Sequence, residues 1–309
     1  SGLAAGIRVH DRDQLQPVQR ALAKVQGVSA LIYVQTCATE LRRRRKRGLV
    51  ADTPRRVMIN PDVCEGCGDC GAQSNCVAIL PLKTPLGTKR AIDQSACNKD
   101  VSCLKGFCPS FITIEGGQLR KPDMFAKVPA NLLLPKPLLD LDQPRSILIT
   151  GVGGTGVVTL GALLGMAAHI EGKGVGLIDM AGLAQKGGAV TTHIRLAASP
   201  SQIKAIRVAP GTADLLLGSD LLTSAGHEAL GLLRPRAHII VNTHEMMTGD
   251  FVRDRNFALP SEQMRERLQH AVPAKHCVFV NTTAIARQLL GDTIGANLFL
   301  LGVAWQRGL

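Results

Sequence analysis

The sequence predicts an α/β chain whose last half, residues 144–309, is an open, doubly wound sheet preceded by a small cysteine-rich domain and a short αβ unit. Three observations carry this. Apolar runs of strand length alternate with segments of helix length from Arg145 onward. Seven of the nine cysteines fall between Cys64 and Cys108. The composition, 45% apolar and 19% charged, is that of a folded chain and excludes a disordered or collagenous one. The 309 residues suffice for two or three domains. Aromatic residues make up only 3%, so the core has to be built from Leu, Val, Ile and Ala.

Residues 1–41 read as strand, helix, strand. Gly6–Val9 is short and extended, Leu15, Val18, Leu22 and Val25 recur on one helical face, and Ala30–Val34 is a continuous apolar strand. One such unit cannot bury its own faces, so it belongs to a sheet whose other strands lie elsewhere. The basic run and Thr53-Pro54 then form a boundary. Residues 57–121 hold the cysteines, and the proline-rich stretch 122–143 reads as a linker wrapping a surface.

Beyond it, strands are expected at Ser146–Thr150, Val175–Met180, Val190–Leu196, Asp214–Leu217, His238–Asn242 and Cys277–Asn281. Helices are expected at 155–170, 220–233, 261–270 and 283–290. Ile147-Leu148-Ile149 is wholly apolar, as a strand covered on both faces requires. Ser146–Ile170 is uncharged, but its glycines fit a strand, a turn and a helix better than one membrane-spanning helix. The expectation is a cytoplasmic protein with no membrane contact. Starting at Ser-Gly and stopping just after a helical pattern, the chain reads as a piece of a longer polypeptide.

Cys64-x2-Cys67-x2-Cys70 puts three thiolates in one loop, able to wrap three corners of an iron–sulfur cubane. Cys108-Pro109 is the distant Cys-Pro that supplies a fourth corner in ferredoxin-type sites. Gly66, Gly68 and Gly71 suit a backbone that folds tightly around an inorganic core. Zinc is the alternative, although a third Cys two residues further on suits it poorly. Where a second Cys-x2-Cys-x2-Cys would follow, the chain reads Cys97 to Cys103 with Asp100 at the middle position. A second 4Fe-4S cluster on Cys76, Cys97, Asp100 and Cys103 is therefore expected, with a labile carboxylate corner. The alternative is a single cluster with Cys76, Cys97 and Cys103 as structural thiols. Five residues between Cys70 and Cys76, and four between Cys103 and Cys108, depart from the usual three. Cys37 and Cys277, outside this group, read as core residues.

Gly151-Val152-Gly153-Gly154-Thr155-Gly156 follows a strand and opens a helix, where bare backbone can receive a diphosphate. Asp179, 28 residues after Gly151, ends the next strand and could take a ribose hydroxyl. Lys186, Gly187 and Gly188 add a cation and flexible positions above the same crevice. The alternative is that these glycines serve close packing alone. The net charge is +12, half of it in the unbroken run Arg42–Arg47. Such a block suits a solvated segment, nucleic acid or an acidic protein partner. With no interleaved aromatics and no nucleic-acid motif, nucleic acid is not expected.

With these residues in hand the chain resembles the central part of a fused indolepyruvate ferredoxin oxidoreductase, one of the 2-oxoacid:ferredoxin oxidoreductases. The resemblance covers the whole chain. It is carried by Gln35-Thr36-Cys37-Ala38 leading into the arginine run, by Cys64–Cys70 through Lys105-Gly106-Phe107-Cys108-Pro109, and by Gly151–Gly156 with Lys186-Gly187-Gly188. It implies that residues 1–56 are the end of a thiamine-diphosphate-binding domain plus a basic linker. Residues 57–121 would be a ferredoxin-like 4Fe-4S domain, 122–143 a linker, and 144–309 a gamma-type domain cut off near its end. The implied activity is oxidative decarboxylation of 2-oxoacids, here arylpyruvates, to acyl-coenzyme A, with electrons passed singly through the clusters to ferredoxin. Thiamine diphosphate with magnesium, and coenzyme A, would serve the complete enzyme. The chain holds no Gly-Asp-Gly followed by the Asn that would grip the diphosphate, so no catalytic acid or base is assigned in it. An acidic ferredoxin is the implied acceptor for the basic run, and a homo-oligomer of the full-length chain the implied assembly. A non-catalytic iron–sulfur module and an NAD(P)H-linked reductase remain as alternatives.

Overall fold

A computed structural model describes Ala4 and residues 6–117, 133–138, 140–182 and 187–309. The chain divides into two compact units, Ser1–Val50 and Ala51–Leu309.

In the first unit, Asp11 accepts from the Asp13 N–H at 3.0 Å and opens a 3-10 turn that runs into α1 (Leu15–Leu22). The strands expected at Gly6–Val9 and Ala30–Val34 do not form. Among the described residues neither segment pairs with a strand, Gly6 stands in a turn at φ +89°, and Ile32 and Val34 are 83% and 89% exposed. A strand exists only through a neighbour that takes up its N–H and C=O groups, and neither segment has one among the described residues. The arginine run, expected as a linker, is helical instead: α2 spans Ala38–Lys46. Glu40 pairs with Arg43 and Arg44 at 3.5 and 3.1 Å, and the cations of the last turn face the negative end of the helix dipole.

The second unit begins with β1 (Arg56–Ile59), α3 (Asp69–Ser74), β2 (Ile79–Thr84), β3 (Gly87–Ile92) and β4 (Phe111–Ile114). β1 and β4 form an antiparallel ribbon with Ile59 opposite Phe111, and β2 and β3 form a hairpin with Ile79 opposite Ile92. There follow β5 (Arg145–Val152), α4 (Val157–Ile170), β6 (Gly174–Ala181), β7 (Ala189–Ala197), β8 (Ala213–Gly218), α5 (Leu221–Ser224), α6 (His227–Leu232) and β9 (Leu233–Asn242). The chain closes with α7 (Asp250–Arg253), α8 (Ser261–Ala271), β10 (Cys277–Val280), α9 (Thr282–Leu290) and α10 (Ala296–Gln306).

Six strands make one sheet in the order β10-β9-β8-β5-β7-β6. β5, β8, β9 and β10 are parallel, whereas β7 runs antiparallel to both β5 and β6. The connection from Ala181 to Ala189 is too short for a parallel crossover, which takes a dozen residues or more. Alternation along the central strands feeds two cores. Leu148, Leu216 and Ile239 face one, shared with Leu268 of α8, while Ile149, Leu217 and Ile240 face the other, shared with Leu160 of α4 and Leu300 of α10. At the opposite end from the glycine turn, buried Asp214 accepts from the Ser146 N–H at 2.7 Å and pairs with Arg234 and Arg145 at 2.5 and 3.4 Å, tying β5, β8 and β9 together.

The helix expected over 220–233 is two. Asp220 caps the first by accepting from the Thr223 N–H, and Gly226, in extended conformation, restarts the second. Among the described residues no helix is long and apolar enough to cross a membrane.

Three histidines are held below the ordinary value of 6.5. Burial is the first cause in each; Arg207 adds to it at His193, His276 at His238 and Arg287 at His244. His193 Nδ1 accepts from the Val208 N–H at 3.1 Å, which requires the neutral ring. Below about pH 6.5 the unfolded chain therefore binds more protons than the folded one, and stability falls as pH drops. Thermal melts at pH 7.5 and 5.5 should show this loss, and His193→Gln should shrink it. Equal melting temperatures at the two pH values would remove these rings from the stability balance.

Candidate functional site

The cysteines are gathered by the two small antiparallel pairs. β1 and β4 end side by side, with the Asn60 N–H donating to the Ser110 carbonyl at 2.8 Å, so Cys64 and Cys108 leave the same end of the ribbon. Cys64 is buried, its N–H bonded to the Asn60 carbonyl, and the Cys108 thiol lies 3.0 Å from Ser110 Oγ. Gly66 has φ +74°, and a Cβ there would sit 2.3 Å from the Thr88 carbonyl oxygen, so the loop between Cys64 and Cys67 lies flat against β3. Gly68, at φ +87°, turns the chain into α3, which carries Cys70. The Cys70 thiol is pushed up by burial and by its neighbours Cys64 and Cys67, against the opposing pull of the Gly71 N–H and Arg90.

The hairpin builds a second group. Cys76 precedes β2 and Cys97 follows β3, and the pairing of Ile79 with Ile92 brings them to one end. A small cavity there is lined by Cys76, Cys97, Asp100 and Cys103 together with Arg56 and Lys99. Burial, then the neighbouring Cys76 and Cys97, raise the Cys103 thiol to about 11. The N–H groups of Ala78 and Lys99 donate to Cys76 and Cys97 sulfur at 3.5 and 3.4 Å. Asp100 accepts from both the N–H and the hydroxyl of Ser102, at 3.3 and 3.1 Å. The non-glycine residues with positive φ among those described are Asn75, Lys99 and Val101, which flank Cys76 and Asp100. Such backbone costs about 1–3 kcal/mol each and collects at functional sites. Lys99 also pairs with Asp52, as does Arg56 at 3.6 Å, so Ala51–Arg56 packs with this region. Burial raises the Asp52 carboxyl, and the hydrogen bond and charge of Lys99 more than offset it.

Among the described residues no three His, Cys, Asp or Glu side chains gather closely enough to hold one metal ion. Mononuclear zinc needs four ligands on one centre. A cubane spreads its four thiolates over four irons, and the cysteines here act on one another in two groups, Cys64, Cys67 and Cys70 in one and Cys76, Cys97 and Cys103 with Asp100 in the other. The soft thiolate donors and the inward N–H···S bonds fit that group. Of the other cysteines, Cys277 packs at the core's edge as expected, but Cys37 is exposed, at the N-terminal cap of α2 rather than in a core.

The glycine turn closes β5 onto α4 at the carboxyl end of the parallel strands. A Cβ on Gly151 would meet Val157 and Ser219 within 3 Å, so this glycine serves packing. Gly153 exchanges backbone hydrogen bonds with Gly187 and Gly188, at 3.4 and 2.7 Å. Gly154 faces open space, and Gly156 caps α4 beside Asn297, whose amide donates to the Thr155 carbonyl. Asp179 lies on edge strand β6, separated from β5 by β7, and accepts from Thr192 Oγ1 at 2.5 Å. In a dinucleotide fold the acidic residue stands on the strand next to the glycines, so this placement differs. Lys186 lies outside the described residues.

Residues 146–309 match the family described as pyruvate ferredoxin/flavodoxin oxidoreductase, and they are more than half of the chain. The chain belongs to that family. The family domain is similar to the indolepyruvate oxidoreductase subunit IorB of Methanothermobacter thermautotrophicus, 26% identical over 159 residues, covering 52% of this chain and 76% of that protein. It is also similar to the common gamma subunit of the pyruvate/ketoisovalerate oxidoreductases of Pyrococcus furiosus, 29% identical over 52% of this chain and 76% of that one. Among solved structures, pyruvate oxidoreductase subunit PORC of Thermotoga maritima matches at 19% identity and a TM-score of 0.36, over 52% of this chain and 75% of that one. The cysteine region precedes the family domain.

The family domain contacts the cysteine region through residues that the sequence did not single out. Arg90 on β3 reaches the Arg255 carbonyl at 2.9 Å and lies over the Phe251 ring at 4.6 Å. Arg287 pairs with Asp93 at 3.6 Å. No spacing marks a lone arginine in a hairpin, so only the folded chain reveals it.

Proposed function

We propose that this chain is the electron-relaying part of a 2-oxoacid:ferredoxin oxidoreductase acting on indolepyruvate or a related arylpyruvate. The observation that carries the reading is the cavity walled by Cys76, Cys97, Asp100 and Cys103, standing beside the separate Cys64, Cys67 and Cys70 loop. Two 4Fe-4S clusters held there, the first completed by Cys108, supply one-electron carriers between the substrate's electron pair and an acidic ferredoxin. Cys64 and the N–H groups of Gly66, Ala78 and Lys99 would then orient sulfur and shield it from water. Thiamine diphosphate, magnesium and coenzyme A serve the complete enzyme, and Gly154 offers open backbone to a phosphate-bearing cofactor. The substrate follows the name of the IorB relatives. The basic face of α2 suits the acidic acceptor, in a salt-sensitive way. An oligomer suits the outer face of α4, where Leu163, Met166 and Ile170 are 47%, 58% and 77% exposed.

The test is iron and acid-labile sulfide per chain on anaerobically purified protein, with EPR after dithionite reduction and sedimentation of the same sample. About eight irons, or about seven if the carboxylate corner empties, is the expected result. Zinc without sulfide would end the relay reading, and a monomer the oligomer.

A further inference from the structure

Arg90 is the one guanidinium in the described chain that is almost wholly removed from water, at 2% exposure. Its nitrogens donate to two backbone carbonyls, Arg255 at 2.9 Å and Lys89 at 3.3 Å, and its face stacks on Phe251. No carboxylate among the described residues pairs with it. A buried cation left with only neutral acceptors is costly unless an anion completes its surroundings. The cysteine loop lies beside it: a Cβ on Gly68, between Cys67 and Cys70, would sit 3.4 Å from the Arg90 Nη2. A thiolate-bound cluster carries net negative charge that grows by one on reduction, and such charge is what a fixed, weakly hydrated guanidinium stabilises.

We infer that Arg90 is the counter-charge of the cluster on Cys64, Cys67, Cys70 and Cys108, and that it raises that cluster's reduction potential. The inference rests on the iron–sulfur reading. The guanidinium is clamped by Phe251 and Arg255 of the family domain, so that domain positions a charge that acts on the relay. Being buried, the charge acts with little screening by salt.

The experiment is a potentiometric titration followed by EPR on the full chain with its clusters loaded, comparing wild type with Arg90→Gln and Arg90→Lys. Expected is a fall in the potential of one cluster in R90Q, the other cluster holding its value, and a potential close to wild type in R90K. The fall should persist at high salt. If R90Q loads both clusters and titrates as wild type, Arg90 is only a packing residue and the inference fails. If R90Q does not load, R90K decides: with its charge intact, a large downward shift overturns the inference and an unmoved potential supports it. A wild-type protein without iron or sulfide would instead sink the relay reading itself.

Discussion

Gly66→Ala is expected to empty the first cluster site while leaving the family domain folded. Iron should fall by about four per chain, with the EPR signal of one cluster lost and the thermal unfolding of the α/β sheet nearly unchanged. Two causes act together. At φ +74° an alanine pays about 1–2 kcal/mol for left-handed backbone. Its Cβ would also lie 2.3 Å from the Thr88 carbonyl oxygen, which belongs to strand β3 and has no rotamer to change. The loop has to lift off β3, and with it goes the Gly66 N–H that donates to Cys64 sulfur at 3.4 Å. The sheet has its own two cores, so the damage should stay local. Full iron in the variant would show that the loop is not held against β3.

The six sheet strands were legible because most are short apolar runs, with β7 marked instead by its β-branched residues, and all six appear within about five residues of their expected bounds. Their order was less so. Nothing local in Ala189–Ala197 announces that it runs antiparallel between β5 and β6; only the short connection from Ala181 does. β9 begins at Leu233 rather than His238 because Pro235 and the two arginines beside it are absorbed into an irregularity between the pairs Ala213–Leu233 and Leu215–His238. The strands expected before Val50 failed for lack of any partner to pair with. At the candidate site, cysteine spacing announced the two thiol groups, but the Arg90 contact depends on residues 165 positions apart. The role expected for Asp179 followed from its place at the end of the next strand in sequence and its distance from Gly151, and neither reveals β7 lying between.

Asp100 makes the second site the more fragile of the two, and Asp100→Cys is expected to reverse that. A carboxylate is a hard donor to a soft iron–sulfur core. Here its Oδ1 also accepts two hydrogen bonds from Ser102, which draw charge away from iron. The side chain is nevertheless set at the cavity between Lys99 and Val101, both in left-handed backbone, φ +58° and +52°. For a β-branched valine that is a costly arrangement to keep without a use. After brief exposure to air, wild type should hold about seven irons per chain, D100C about eight and Cys103→Ala about four. A competing account makes Asp100 only the acceptor that fastens Ser102 at the start of the turn Ser102–Leu104. On that account Asp100→Ala costs stability and no iron, and D100C loses iron as readily as wild type. Iron counts on the three variants, made on one preparation before and after air, separate the two. Loading should also release protons, since the Cys103 thiol, near 11 without a cluster, can bind iron only as thiolate. Reconstitution of the second site should therefore gain from raising the pH between 7 and 9, and a flat profile would count against Cys103 as a ligand.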